Sequence, residues 1–90
     1  MINVKRFVLD VLKPHQPNGL EFASNIAEKT NGAQVRLTVS GVDEKTETVV
    51  IDISGADLHY DSIVDVISAM GGSVHSVDEV EVENCPSDPD

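Results

Sequence analysis

Apolar and polar residues alternate in some segments of the chain, and in others apolar residues recur at helical spacing. Alternation at every second position is typical of a strand, whereas apolar residues three and four apart are typical of a helix. The segment NVKRFVLDVLK at 3–13 alternates around Phe7, Leu9 and Val11. We therefore predict a first strand with one fully apolar face, which stops at Pro14.

A first helix is predicted over about residues 18–31. Its segment PNGLEFASNIAEKTNG places apolar residues at helical spacing, and Pro17 or Asn18 stands at its start. Asn31-Gly32 supplies the signal for its end. Apolar alternation then resumes on both sides of the turn sequence GVDEKTE, which predicts a hairpin of two further strands.

A second helix is predicted in LHYDSIVDVISAMGG at 58–72, where apolar residues recur on one face and two glycines end the segment. SVHSVDEVEVE at 73–83 then forms a last strand. The order β-α-β-β-α-β with right-handed crossovers predicts an antiparallel sheet, order 4-1-3-2, with both helices on one face. This is the ferredoxin-like fold, of the α+β class, in a single domain over residues 1–84.

In this topology the end of the first strand and the start of the last strand share one edge of the molecule. LKPHQP at 12–17 and GGSVHSVD at 71–78 should therefore lie together, next to the hairpin turn. A lysine, two imidazoles, a hydroxyl and a carboxylate at one edge suit a small anion or a divalent cation. The predicted ligand-binding residues are Lys13, His15, His75, Ser76 and Asp78.

A divalent cation such as Ca²⁺, Mg²⁺ or Zn²⁺ is the cofactor that this chemistry suggests. The candidate metal ligands are His15, His75, Asp78 and Asp10. A structural role is the alternative: Lys13 and His15 cap a loop, His75 bonds a backbone carbonyl, and Asp78 pairs across a subunit interface.

The facing of the last strand stays open at this point. Either His75 and Val77 or Ser76 and Asp78 can point toward the helices, because strand residues alternate between the two faces. A bulge would change both arrangements. Which side chains join the candidate site therefore depends on the backbone of this strand.

The sheet face away from the helices carries the residues that predict assembly. Val8, Leu12 and Val50 point to this face, with Val77 as a further candidate, and the chain has no third layer to cover them. A domain of 90 residues gains most from covering such a face with another copy of itself. We therefore predict a homo-oligomer larger than a dimer, with Val8, Leu12 and Val50 at the interface.

Two functions from different classes fit these residues. The first is a non-enzymatic homo-oligomer that binds a small ligand or cation at its subunit edges. The second is a metal-dependent enzyme that uses His15, His75 and Asp78, with Lys13 positioning a small anionic substrate. No catalytic residue is assigned, because no nucleophile motif or Gly-rich phosphate loop occurs in the chain.

The distribution of charge along the chain excludes some classes of binding partner. The net charge is −10, all six Lys and Arg lie in residues 1–45, and residues 46–90 hold eleven acids and no Lys or Arg. This disfavours nucleic acids and anionic membranes as partners. The excess of acids has three possible explanations: it increases solubility, it adapts the surface to high salt, or it forms a cation site.

The sequence also predicts where the protein is located and how the chain ends. The single Cys85 cannot form an internal disulfide, and no signal segment or run of about 20 apolar residues occurs, so a cytoplasmic location is expected. Residues 85–90 are rich in Pro and Asp and are predicted to be a disordered tail.

Two segments together resemble a known family. LDVLKPHQP at 9–17 and GGSVHSVDEV at 71–80, with DLHYDSI between them, are similar to the paired signatures of a small, mainly archaeal family, domain of unknown function 211. The resemblance covers roughly residues 4–82. It implies the ferredoxin-like fold and assembly into rings of several subunits, with no established activity. The short acidic tail and the absence of Lys and Arg after residue 45 depart from the family pattern.

Overall fold

The computed structural model describes residues 1–86. Six elements follow one another in the predicted order, and their bounds are β1 Ile2–Pro14, α1 Gly19–Lys29, β2 Gln34–Val42, β3 Thr46–Ser54, α2 Tyr60–Ala69 and β4 Ser73–Asn84. The strands form one sheet, β2-β3-β1-β4, in which every neighbouring pair is antiparallel. The prediction of a ferredoxin-like α+β fold is confirmed. No helix within residues 1–86 has the length and hydropathy that a membrane span requires.

The core lies between the two helices and one face of the sheet. Leu9 and Val11 of β1 are fully buried there, together with Phe22 of α1 and Ile63 and Ile67 of α2. These are the apolar positions that the strand and helix patterns placed on one face. Burial of each such side chain stabilises the fold by about 1.5–3 kcal/mol relative to leaving it in water.

The start of α1 is held by a capping box at Asn18. The Glu21 backbone N–H donates to Asn18 Oδ1 over 2.9 Å, and the Asn18 N–H donates to Glu21 Oε1 over 3.3 Å. Two backbone groups that a helix start leaves unpaired are thereby satisfied. The helix ends at Lys29, earlier than predicted, and Gly32 follows with a φ of 76°.

The turn from α2 into β4 packs against the end of β1. Gly71 has a φ of 84°, and a Cβ placed on it would lie 3.4 Å from Pro14 Cγ. A Cβ on Gly72 would lie 2.9 Å from Cζ of Phe22. Glycine is therefore required here for both conformation and space, and the two predicted segments do share one edge.

Two bulges in β4 decide which way its residues face. Opposite residues in a ladder share a face, and Val77 lies opposite Leu9 on the helix side, whereas Ser76 lies opposite Asp10 on the other side. His75 and Asp78 have no partner in the register and are the extra residues of the two bulges. The facing is therefore a third arrangement, which strict alternation does not produce.

The sheet face away from the helices is held together by Arg6. Its Nε and Nη2 each donate to the Asp52 carboxylate over 2.9 Å, and its Nη1 donates to Glu79 over 2.9 Å. Asp52 and Glu79 are the cross-strand neighbours of Val8, so these ion pairs join the strands on both sides of that valine. Val8 is only 8% exposed.

The three residues predicted for a subunit interface thus differ in exposure. Leu12 is 42% exposed, Val50 is half-buried, and Val8 is buried within the single chain. Val8 therefore has little surface left to offer to a partner. The assignment of these residues to an interface remains a prediction.

The end of β4 lies beside the start of β1. The Cys85 backbone N–H donates to the Met1 carbonyl oxygen over 2.7 Å, and the Met1 ammonium donates to the Cys85 carbonyl oxygen over 2.9 Å. The first residue of the predicted tail is thus bonded to the sheet. Residues 87–90, at the end of that tail, lie outside the described residues.

Candidate functional site

The ammonium of Lys13 lies inside the protein. Lys13 continues the apolar face of β1, its side chain is fully buried, and its Nζ lies 5.7 Å from the centre of the Phe22 ring. Nζ donates to the Pro14 carbonyl oxygen over 2.8 Å and to Glu47 Oε1 over 3.1 Å. Its charge is therefore compensated internally and does not reach a ligand at the surface of the single chain.

Glu47 joins Lys13 to His15. Its Oε2 lies 3.0 Å from His15 Nδ1, while the other ring nitrogen, Nε2, lies 3.0 Å from the Glu44 carbonyl oxygen. Glu44 belongs to the β2–β3 turn, and His15 follows the end of β1. We call these three side chains, Lys13, His15 and Glu47, the corner cluster, because they tie the hairpin turn to the corner between β1 and α1.

The hydrogen bonds of the corner cluster set the protonation state of His15. An ionised carboxylate and a carbonyl oxygen can only accept, so both ring nitrogens must donate. Only the imidazolium form makes both bonds. The Glu47 carboxylate, helped by the Glu44 carbonyl, raises the pKa of His15 above its ordinary value of 6.5. In return, His15 and then Lys13 lower the pKa of Glu47 below its ordinary value of 4.5.

A second group of predicted residues lies on the sheet face away from the helices. Asp10, Leu12 and His75 line a depression of about 260 Å³, together with Val11 and Thr48. His75 is exposed and sits at its bulge, which places it beside Asp10. Imidazole and carboxylate groups next to an exposed leucine suit a small ligand or a metal ion better than a large anion.

Comparison with known proteins decides the family. The chain matches the family described as uncharacterized ArCR, DUF211, over residues 5–84. The chain belongs to the DUF211 family. It is also 40% identical, over 80 residues, to Uncharacterized protein MJ0319 of Methanocaldococcus jannaschii; the match covers 89% of this chain and 82% of that protein. The resemblance seen in the two sequence signatures is confirmed.

The DUF211 chain divides its predicted ligand-binding residues among three places. Lys13 and His15 belong to the corner cluster, and His75 lines the depression with Asp10. Ser76 Oγ donates to Asp78 Oδ1 over 2.8 Å, so these two satisfy each other. Lys13 bonds the Pro14 carbonyl at the end of β1, and His15 bonds the Glu44 carbonyl in the hairpin turn, as the structural alternative expects. The assignment of these two residues to ligand binding remains a prediction.

The predicted metal ligands of the DUF211 chain do not come together in the described part of the chain. Within residues 1–86, no three His, Cys, Asp or Glu side chains lie together in a way that would hold a metal ion. Asp10 and His75 share the depression, whereas His15 is engaged by Glu47. Asp10 and His75 are therefore the pair to which a further ligand would have to be added.

The sequence prediction missed Glu47. Its signal lay in the expected pairing of β1 with β3, which places Lys13 opposite Glu47. A lysine on an otherwise apolar strand face needs a partner of opposite charge. Glu47, directly opposite Lys13 on the neighbouring strand, was therefore the candidate partner.

Proposed function

We propose that this DUF211 protein is a non-enzymatic homo-oligomer, larger than a dimer and closed into a ring, that holds a small ligand or divalent cation at its subunit edges. The observation that carries the proposal is the apolar surface of the two outer strands. Five of their valines are 40% to 73% exposed: Val39, Val42, Val77, Val80 and Val82. A small domain rarely leaves such side chains in water unless a partner covers them.

The energetics favour several neighbours over one. Each exposed valine contributes about 1.5–3 kcal/mol if it is fully buried, and less when it is already half-buried. Association costs about 4–15 kcal/mol. An edge with two or three valines is marginal for an isolated dimer, but a ring gives every subunit two neighbours and leaves no edge free.

The assembly is tested first by mass. We expect light scattering after gel filtration at moderate salt to give a molar mass more than twice the 9.7 kDa of the chain. The measurement should be repeated at micromolar concentrations and below, where a ring held by two interfaces per subunit persists. A monomer throughout that range would contradict the proposal.

The ligand side of the proposal rests on Asp10 and His75. Asp10 is half-buried in the depression, and its carboxylate makes no hydrogen bond or ion pair within residues 1–86. Three other acids on that sheet face do have partners, since Asp52 and Glu79 bind Arg6 and Glu83 lies 3.4 Å from Lys5. An unpaired carboxylate next to an imidazole is a start for a cation site, which a second subunit can complete.

Zinc titration tests this site. We expect Zn²⁺ to bind the wild-type protein and His75→Asn to weaken that binding at least tenfold, because imidazole is a favoured Zn²⁺ ligand. His59→Asn is the matched control, since His59 is exposed and lies 3.6 Å from Asp57. Isothermal titration calorimetry measures the affinities. Equal losses in the two variants, or no binding to the wild type, would contradict a site at Asp10 and His75.

A further inference from the structure

We infer that the outer edge of β4 pairs with the outer edge of β2 in a second copy of the chain, so that the sheet continues from subunit to subunit. The inference rests on the proposed assembly and assigns its surface and partner strand. Both strands lie at the ends of the sheet, and their outer backbone groups have no sheet partner within residues 1–86. Such edges are templates for pairing with another chain.

The strand directions allow this continuation. The order β2-β3-β1-β4 is antiparallel throughout, so β2 and β4 run in opposite directions. A second copy in the same orientation therefore presents its β2 antiparallel to β4 of the first copy. The helices of both copies stay on the same face of the extended sheet. Repeating the step gives a head-to-tail assembly, which closes into a ring when the sheet curves.

One register matches the apolar residues of the two edges. When Arg36 of β2 is placed opposite Glu81 of β4, the helix-side residues pair one to one, provided that the bulges of both strands are kept. The pairs are Val35 with Val82, Leu37 with Val80, Val39 with Val77 and Val42 with Val74. The irregularity of β2 at Ser40 then lies beside the bulge of β4 at His75.

This register covers the exposed valines of the two outer strands. Val77, Val80 and Val82 are 40%, 55% and 54% exposed on β4, and Val39 and Val42 are 47% and 73% exposed on β2. All five lie on the helix side, because their cross-strand neighbours do. Leu12, on the opposite face, is not covered by this pairing.

Charge selects β2 as the partner of β4. Pairing two copies of β4 with each other would bring the acids of that strand together, which costs free energy. These acids are Asp78, Glu79, Glu81 and Glu83. β2 instead offers Arg36, which makes no hydrogen bond or ion pair within residues 1–86. Glu81 is likewise without an ion pair in the described residues. Arg36, whose cross-strand neighbour within the chain is Asp52, can therefore pair with Glu81 across the interface.

The test uses two variants that each block one edge. Val80→Lys places a charge on the β4 edge, and Val39→Lys places one on the β2 edge. Both valines are about half exposed, so the fold of the single chain should survive, which circular dichroism can check. Val80→Thr and Val39→Thr are the matched controls, because threonine keeps the branched shape without adding a charge.

The expected result is specific to head-to-tail pairing. Each Lys variant alone is a monomer, and the Thr controls keep the wild-type mass. At high protein concentration, which a single marginal interface requires, an equimolar mixture of the two Lys variants has twice the molar mass of either. One intact β4 edge and one intact β2 edge remain in the mixture to form that interface.

Three results would overturn the inference. A dimer of Val39→Lys alone would show that β4 pairs with itself. Wild-type mass in both Lys variants, with dissociation of Leu12→Asp, would move the interface to the other sheet face while the proposed assembly still holds. A wild-type monomer would refute the proposed assembly and this interface together.

Discussion

Replacing Glu47 by Gln is expected to lower the free energy of unfolding by about 3 kcal/mol, because the change leaves the buried ammonium of Lys13 without a charged partner. Lys13 has no exposed surface, so water cannot take over the role of the carboxylate. The Pro14 carbonyl and the Phe22 ring still face the ammonium. Because they remain, the loss of unfolding free energy should lie at the lower end of the range seen when one partner of a buried ion pair is removed. Urea unfolding monitored by circular dichroism measures it.

Lys13→Met is the matched variant and should change stability by less than about 1 kcal/mol, because an apolar chain of similar length replaces a buried charge. Glu47 then keeps its bond to His15. The two partners of one ion pair are thus expected to respond very differently. Equal losses in the two variants, or an unchanged stability of Glu47→Gln, would contradict the role given to the buried ammonium.

The thermal midpoint is expected to be highest between about pH 4.5 and 6.5 and to fall on both sides. The pKa of His15 is raised above 6.5 in the folded chain, so its stabilisation is complete below pH 6.5 and is lost as pH rises through the raised value. The pKa of Glu47 is lowered below 4.5, so its stabilisation is present above pH 4.5 and is lost as pH falls through the lowered value.

His15→Gln separates the two arms of this profile. The variant should lose the decline above pH 6.5, because the imidazolium that gives up its proton there has been removed. The decline at low pH should remain, since Arg6 also lowers the pKa of Asp52 below its ordinary value of 3.8. Differential scanning calorimetry from pH 3 to 9 measures both arms. An alkaline decline of the same size in wild type and variant would assign it to other groups.

The alternation in β1 carried more information than the prediction used. Phe7, Leu9 and Val11 define the face toward the helices. Lys13 is the next residue on the same face, two positions after Val11. The pattern therefore places this lysine in the core rather than at the surface. The edge that the two segments share in the predicted topology led to its grouping with His75, which the structure puts on the opposite face of the sheet.

The fold could be predicted because each of its elements has a local signal that agrees with the others. Helix periods, turn residues and the crossover rule all point to one topology. The facing of β4 could not be predicted, because it depends on bulges at His75 and Asp78. A bulge arises from pairing with a neighbouring strand, so no residue pattern within β4 specifies it. The exposed valines of that strand were misplaced or missed for the same reason.

The central position of β1 affects the order in which the protein can fold. β1 is the first strand in the chain, yet its two neighbours are β3 and β4, and β4 is the last element. Strand pairs this far apart in sequence form slowly, because a long loop must close before any contact rewards it. During synthesis, β1 remains without one neighbour until Ser73–Asn84 has emerged. Until then its apolar residues are exposed and can drive aggregation. A chaperone that binds short apolar strands would act on this segment first.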